Sequence, residues 1–177
     1  MGDDRFLRHS LIDWFDQDEV RGMSVIIVGA GAVGNEVIKD LALLGLGRFH
    51  IIDLDRIEIH NLTRSVLFDD TQVGRFKAEI AALTGTHLNH EAEFTFSTAD
   101  LWDCLTFEEL EKADAVFCCV DNFLARLRLN KLCRITGTDL INTAIDSRFA
   151  AVEFYPFSSG EAYACYECQL PASVYAR

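Results

Sequence analysis

The sequence predicts an α/β fold, a mainly parallel sheet flanked by helices, and three observations carry that prediction. Apolar, β-rich runs alternate along the chain with segments whose apolar residues recur at helical spacing. The first such pair, "MSVIIVGAGAVGNEVIKDLALLGLG", passes from strand to helix through a cluster of glycines. The next run, "RFHIIDLD", returns as a buried strand, and strand, helix and strand in that order make a crossover unit with parallel strands.

The elements follow in order. The first 20 residues read as an amphipathic helix with Phe6, Leu7, Leu11, Trp14 and Phe15 on its apolar side. After the first strand, Val33, Val37, Ile38, Leu41 and Leu44 mark a helix, and Gly45 and Gly47 supply its stop. "GRFKAEIAALTGTHLN" carries Phe76, Ile80, Leu83 and Leu88 on a further helix, and "AEFTFST" alternates as a strand does. Thr106 and Glu109 form a capping box that opens a short helix. "ADAVFCCV" then reads as a buried strand and "NFLARLRLNKLCRITG" as a helix ended by Gly137. "LINTAID" and "FAAVEFYPF" read as two more strands, with an antiparallel return open for the second. Gly160 to Arg177 has no clear periodicity.

A chain of 177 residues is long enough for one domain that buries roughly 70% of its unfolded-state surface, so residues 1–177 are read as a single domain. Half the residues are apolar and only two are proline, with no repeat or low-complexity tract, which excludes disorder. The charged start "MGDDRFLRHS" lacks the apolar core of a secretory signal, and no apolar run approaches the roughly 18 residues of a membrane span, so a soluble, cytoplasmic protein is expected. A net charge of −12 repels a phosphate backbone and argues against nucleic acid as a partner. Adjacent Cys118 and Cys119 inside an apolar run argue against a disulfide framework, so most of the six cysteines are read as reduced core residues.

Gly29, Gly31 and Gly34 fit G-x-G-x-x-G in the context that matters, after a strand and opening a helix, where backbone amides and the helix dipole can hold phosphate. This is the Rossmann-like fingerprint, and its bland alternative is a tight turn with nothing bound. Asp53, 24 residues after Gly29 at a strand end, is placed to accept hydrogen bonds from ribose hydroxyls. Up to this point an NAD enzyme fits as well as any. A dehydrogenase has no use for the rest: Asp55, Asn61 and Arg64 in "DLDRIEIHNLTRSVLF", Lys77 in "VGRFKAE", and Asp121 with Asn122 in "VDN".

Taken with GAGAVG and the "CYEC" near the end, these ordered motifs resemble the adenylate-forming enzymes that activate ubiquitin-like and sulfur-carrier proteins, the ThiF, MoeB and HesA types and the catalytic half of ubiquitin-activating enzymes. The resemblance runs through almost the whole chain but covers only the N-terminal part of the usual catalytic unit, so the fold is expected to be truncated at its C-terminus. It implies ATP and magnesium as cofactors, a small ubiquitin-like or sulfur-carrier protein as partner, and a homodimer. It also implies roles: Asp53 holds the ribose, Asn61 and Arg64 grip phosphates, Lys77 contacts phosphate and ribose, Asp121 binds magnesium and Asp55 helps to organise the pocket.

Charge arithmetic agrees with those roles. A carboxylate that attacks the α-phosphate of ATP meets a strongly anionic partner, and charge grows on the bridging oxygen as pyrophosphate leaves, so cations must offset it. Arg64 can bind two oxygens at once, and Lys77 acts as a point charge. Each residue also has a plainer reading: Asp121 or Asn122 capping the helix at Phe123, Arg64 and Lys77 as solvated charges, Asn61 closing an Asx turn.

Cys165 and Cys168 have the spacing of half a four-cysteine zinc site, and the resemblance implies such a site in the intact protein. Two sulfurs cannot close it, so a fragment, a free pair, completion by another subunit and a redox pair all stay open. A second departure lies near the start, where relatives carry an R-Y-S-R type motif and this chain has Arg8-His9-Ser10-Leu11, without the second arginine. The sequence therefore points to ATP-dependent adenylation of a carrier protein's C-terminal carboxylate. A non-catalytic ATP-binding scaffold of the same fold and an NAD- or FAD-dependent oxidoreductase are the alternatives.

Overall fold

The computed structural model describes residues 5–171. Its elements in chain order are α1 (Gln17–Gly22), β1 (Ser24–Val28), α2 (Ala32–Leu44), β2 (Arg48–Ile52), α3 (Lys77–Leu88), β3 (Glu93–Ser97), α4 (Leu101–Cys104), α5 (Phe107–Lys112), β4 (Ala115–Cys118), α6 (Phe123–Thr136), β5 (Asp139–Ile145) and β6 (Ala150–Tyr155). Short 3-10 turns punctuate the long connections, among them Ile59–Thr63.

The six strands form one sheet in the order β3-β2-β1-β4-β5-β6. The first five pair in parallel and β6 returns antiparallel to β5, as the sequence allowed. Helices cover both faces, which is why the central strands read as continuous apolar runs. Side chains alternate across β1, so Val25 and Ile27 enter one core with Ile38, Ile51 and Ile80, while Ile26 and Val28 enter the other with Leu110, Val116, Leu129 and Leu140. Gly45 and Gly137 end α2 and α6 in the left-handed conformation, and the Thr106–Glu109 box opens α5, all as expected.

Two expectations need correction. The first 20 residues are not one amphipathic helix: among the described residues they give a 3-10 turn at His9–Leu11 and then α1. Residues 1–4 of that expectation lie outside the described residues, as do 172–177 of the aperiodic tail. The helix restarts at Gln17 because the Asp16 carboxylate accepts the amides of Asp18 and Glu19, an N-cap that interrupts any continuous helix. Only Phe6 of the expected apolar side is buried, whereas Leu11 and Trp14 are 78% and 84% exposed. In α3 the buried face is Ala78, Ala81, Ala82 and Gly85 beside Ile80, with Leu83 facing outward. Small side chains carry that face, so the larger apolar residues were a misleading guide to it.

Candidate functional site

A cleft of about 470 Å3 opens at the carboxyl ends of β1, β2 and β4, within the ~300–1,000 Å3 typical of small-molecule sites. It lies where the strand order reverses. From β1 the chain winds outward to β2 and β3 and then crosses back to β4 and β5, so the connections after β1 and β4 diverge and leave a crevice.

The turn between β1 and α2 forms its floor. Gly29 has φ +95°, and a Cβ there would stand 2.6 Å from the Cys119 carbonyl oxygen, so β4 and the turn approach closely only because this residue has no side chain. A Cβ on Gly34 would meet the Gly29 carbonyl oxygen at 1.9 Å, which packs the first turn of α2 under the loop. Gly31 differs: it lines the cleft, and a Cβ there would meet nothing within 4 Å. Gly29 and Gly34 are therefore required by the packing of the protein itself, and Gly31 is not.

Two side chains hold this turn. Asn35, fully buried, donates from Nδ2 to the carbonyls of Ala30 (2.7 Å) and Gly31 (3.0 Å), and its Oδ1 accepts the Leu67 amide at 2.8 Å. Asp53, at the end of β2, accepts the Ala30 amide on Oδ2 at 2.7 Å and the Asp55 amide on Oδ1 at 2.8 Å. Burial pushes the Asp53 carboxyl above its ordinary range, against the pull of those two amides and of Lys77. Each carboxylate oxygen keeps a lone pair, so these bonds leave Asp53 able to accept ribose hydroxyls as well.

The segment after β2 brings the next groups. Asp55 lines the cleft and accepts from Lys77 Nζ at 2.8 Å, in a pair whose lysine side chain is only 12% exposed. Asn61, largely buried, accepts the Glu58 amide at 2.9 Å through Oδ1, which makes a capping box with Glu58 in place of the Asx turn considered from sequence. Arg64 also lines the cleft, donating once to the His60 carbonyl at 2.7 Å, which leaves most of its five donors uncommitted. From the other side, Asp121 reaches the cleft on the connection after β4. The capping role falls to Asn122, whose Oδ1 accepts the Ala125 amide at 2.8 Å. Arg64, Lys77 and Asp121 thus share one cleft with the glycine turn rather than separate surfaces.

Sequence reasoning missed Arg126. It lines the cleft from α6 and donates to Asn142 Oδ1 at 2.7 Å and to the carbonyls of Thr143 and Val120, tying the ends of β4 and β5 together. Its acceptors are all uncharged, and no described carboxylate pairs with it. The signal was an arginine four residues after the cap Asn122, on the same face of the helix, in a segment taken for apolar packing.

Cys165 and Cys168 lie apart from it. Their sulfurs are 3.5 Å apart, and the buried Asn130 donates to Cys165 Sγ at 3.5 Å while accepting the Tyr166 amide at 3.0 Å. Burial opposes ionisation of Cys165, but donation from Asn130 and from the amides of Cys168 and Glu167 outweighs it and holds the thiol below its ordinary value. Among the described residues no group of three or more ligating side chains gathers, so the two sulfurs stand without further ligands there. All six cysteines are free.

A model of the ThiF family matches residues 4–176. The chain is similar to the sulfur carrier protein adenylyltransferase of Thermus thermophilus, 33% identical across 88% of this chain and 58% of that protein. It is also similar to the SAMP-activating enzyme E1 of Haloferax volcanii, 33% identical across 95% and 62%. The SUMO-activating enzyme subunit 2 of Dictyostelium discoideum is 32% identical across 86% of this chain but only 23% of its own length. Among solved structures, E. coli MccB with ATP superposes with a TM-score of 0.80 at 28% identity, over 95% of this chain and 52% of that one. The chain therefore spans from about a quarter to three-fifths of the length of these proteins.

Proposed function

The chain belongs to the ThiF family, and from that premise we propose that residues 1–177 form one adenylation domain, which binds ATP in the cleft and adenylates the C-terminal carboxylate of a small ubiquitin-like or sulfur-carrier protein. The observation that carries this reading is the convergence of Arg64, Lys77 and Asp121 on the glycine turn. In the reaction a carboxylate oxygen bonds to the α-phosphorus, the bond from that phosphorus to the bridging oxygen breaks, and pyrophosphate leaves with the electron pair.

The residues take these parts. The amides of the turn and the start of α2 hold phosphate, with Gly31 leaving room for it. Asp53 orients the ribose. Arg64 and Asn61 donate to phosphate oxygens, and Lys77, already desolvated, supplies fixed positive charge where the leaving oxygen becomes negative. Asp55 keeps the lysine in place until ATP arrives. One exposed carboxylate shared with phosphates suits magnesium, which takes one or two carboxylates and keeps waters, so Asp121 would hold it. Such an ion would supply screening of phosphate charge. Zinc at Cys165 and Cys168 would need two further ligands from outside the described residues.

Carrier-dependent exchange of labelled pyrophosphate into ATP tests the proposal. Exchange with one small carrier ending in a free carboxylate supports it, and its absence with every carrier of that type rejects catalysis. A second reading, an ATP-binding scaffold without turnover, draws on Leu11 at the arginine position. Calorimetric binding of ATP without exchange identifies it. An oxidoreductase would bind NAD in preference to ATP. Homodimerisation and a cytoplasmic location remain part of the proposal, and no helix among the described residues is long and apolar enough to cross a membrane.

A further inference from the structure

Trp102 has no part in the reaction above, yet it lines the cleft and is 51% exposed. It sits on α4, an element that its sequence did not announce. Three contacts hold it: Asp100 Oδ1 accepts its amide at 3.0 Å, Arg128 Nη2 donates to its carbonyl at 3.4 Å, and the Arg128 guanidinium carbon lies 3.3 Å from the ring centroid. Its neighbour Leu101 is 7% exposed in the core, which anchors the backbone. The Arg128 Nε is buried without a hydrogen-bond partner among the described residues, so that side chain depends on the indole beneath it. With one ring face covered by the guanidinium, the exposed half of the residue is the opposite face and the edge.

The order of the strands says what that face would meet. The glycine turn at the end of β1 marks the phosphates, and Asp53 at the end of β2 marks the ribose. β3 is the next strand outward, and Trp102 lies in the segment that follows it. Phosphate, ribose and base thus run along β1, β2 and the connection after β3. We infer that Trp102, backed by Arg128, is the platform on which the base of the nucleotide stacks, and that it sets a preference for purines over pyrimidines; this rests on the cleft being an ATP site. An indole that is already immobilised loses little rotamer freedom on stacking, and a purine presents a larger π-face than a pyrimidine.

Calorimetry on the full chain tests it with ATP, CTP and inorganic tripolyphosphate, which lacks a base. Trp102→Ala should weaken ATP about 5- to 100-fold and bring ATP and CTP close together, while Trp102→Phe keeps most of the ATP affinity. Neither change should alter tripolyphosphate binding. The chain has two tryptophans, so in Trp14→Phe the indole of Trp102 alone reports, and ATP should quench it where tripolyphosphate does not. Unchanged ATP affinity in Trp102→Ala, or equal weakening of ATP and tripolyphosphate, overturns the inference and leaves the ATP site standing. Failure of the wild-type chain to bind ATP removes both.

Discussion

In the cleft, groups as far apart in the chain as Gly29 and Asp121, 92 positions from each other, meet at the ends of three strands. In the cysteine corner two sulfurs three positions apart meet, and one asparagine supplies most of what steadies them. The first arrangement exists only if β1, β2 and β4 pair in the right order, so the site and the sheet stand or fall together. The second is a local turn clipped to α6, and its two sulfurs would stay close even in a loosened fold. A site assembled at a switch point therefore tells more about function than a motif that sequence alone keeps together.

That contrast is most exposed to substitution at the cleft cations. Arg64→Ala should slow carrier-dependent exchange by about 10²- to 10³-fold, the usual loss of one transition-state donor. The side chain is exposed, so the unfolding free energy should move by no more than about 0.5 kcal/mol. A proportional fall in stability and rate would mean that Arg64 serves the fold and not the ligand.

The two kinds of glycine come next. Gly34→Ala drives a methyl into the Gly29 carbonyl, a backbone atom that cannot step aside, and should cost about 1–3 kcal/mol in denaturant unfolding. Gly31→Ala has open space around it and ordinary φ, so stability should hold while ATP binding weakens. Equal stability of the two variants would remove the distinction drawn between them.

In the corner, Asn130→Ala leaves the Tyr166 amide and the Cys165 sulfur without their partner and should cost about 1–3 kcal/mol. ATP affinity should be unchanged, because Asn130 lies on α6 away from the cleft lining. A matching loss of ATP binding would show that the two regions are coupled after all.

How much of this was legible follows from the same contrast. The β1–α2–β2 unit was readable because its signals are local: a run of apolar strand residues, glycines at fixed spacing and a glycine stop. The convergence of Arg64, Lys77 and Asp121 was readable only through likeness to a family, since no period or cap places residues 64 and 121 together. Arg126 was hidden because a half-buried arginine satisfied by uncharged oxygens reads in sequence much like a surface charge, its one mark being its place four residues after the cap Asn122. Trp102 was hidden because α4 is four residues long, too short to display a helical period. The N-terminal helix failed for the opposite reason, a convincing period overruled by the single cap at Asp16.

The smallest expected effect concerns the thiols of the two regions, which titrate in opposite senses. Cys119 lines the cleft, and burial pushes its thiol up to about 12 from an ordinary 9.0. The folded state thus favours the protonated form, and the stability this confers is full below pH 9.0 and is lost as pH rises toward about 12. Cys165 is held below 9.0, so the fold favours its thiolate; that contribution is full above pH 9.0 and fades as pH falls through the lowered value. Unfolding midpoints of wild type, Cys119→Ala and Cys165→Ala from pH 7 to 11 separate the two. Each variant carries a constant offset from its lost packing, and the slope is what matters. Relative to wild type, Cys119→Ala should gain as pH climbs above 9.0, whereas Cys165→Ala should lose between pH 7 and 9.0. Parallel curves for all three would mean that the cleft and the corner offer their thiols the same environment, and the contrast in how they are built would have no electrostatic counterpart.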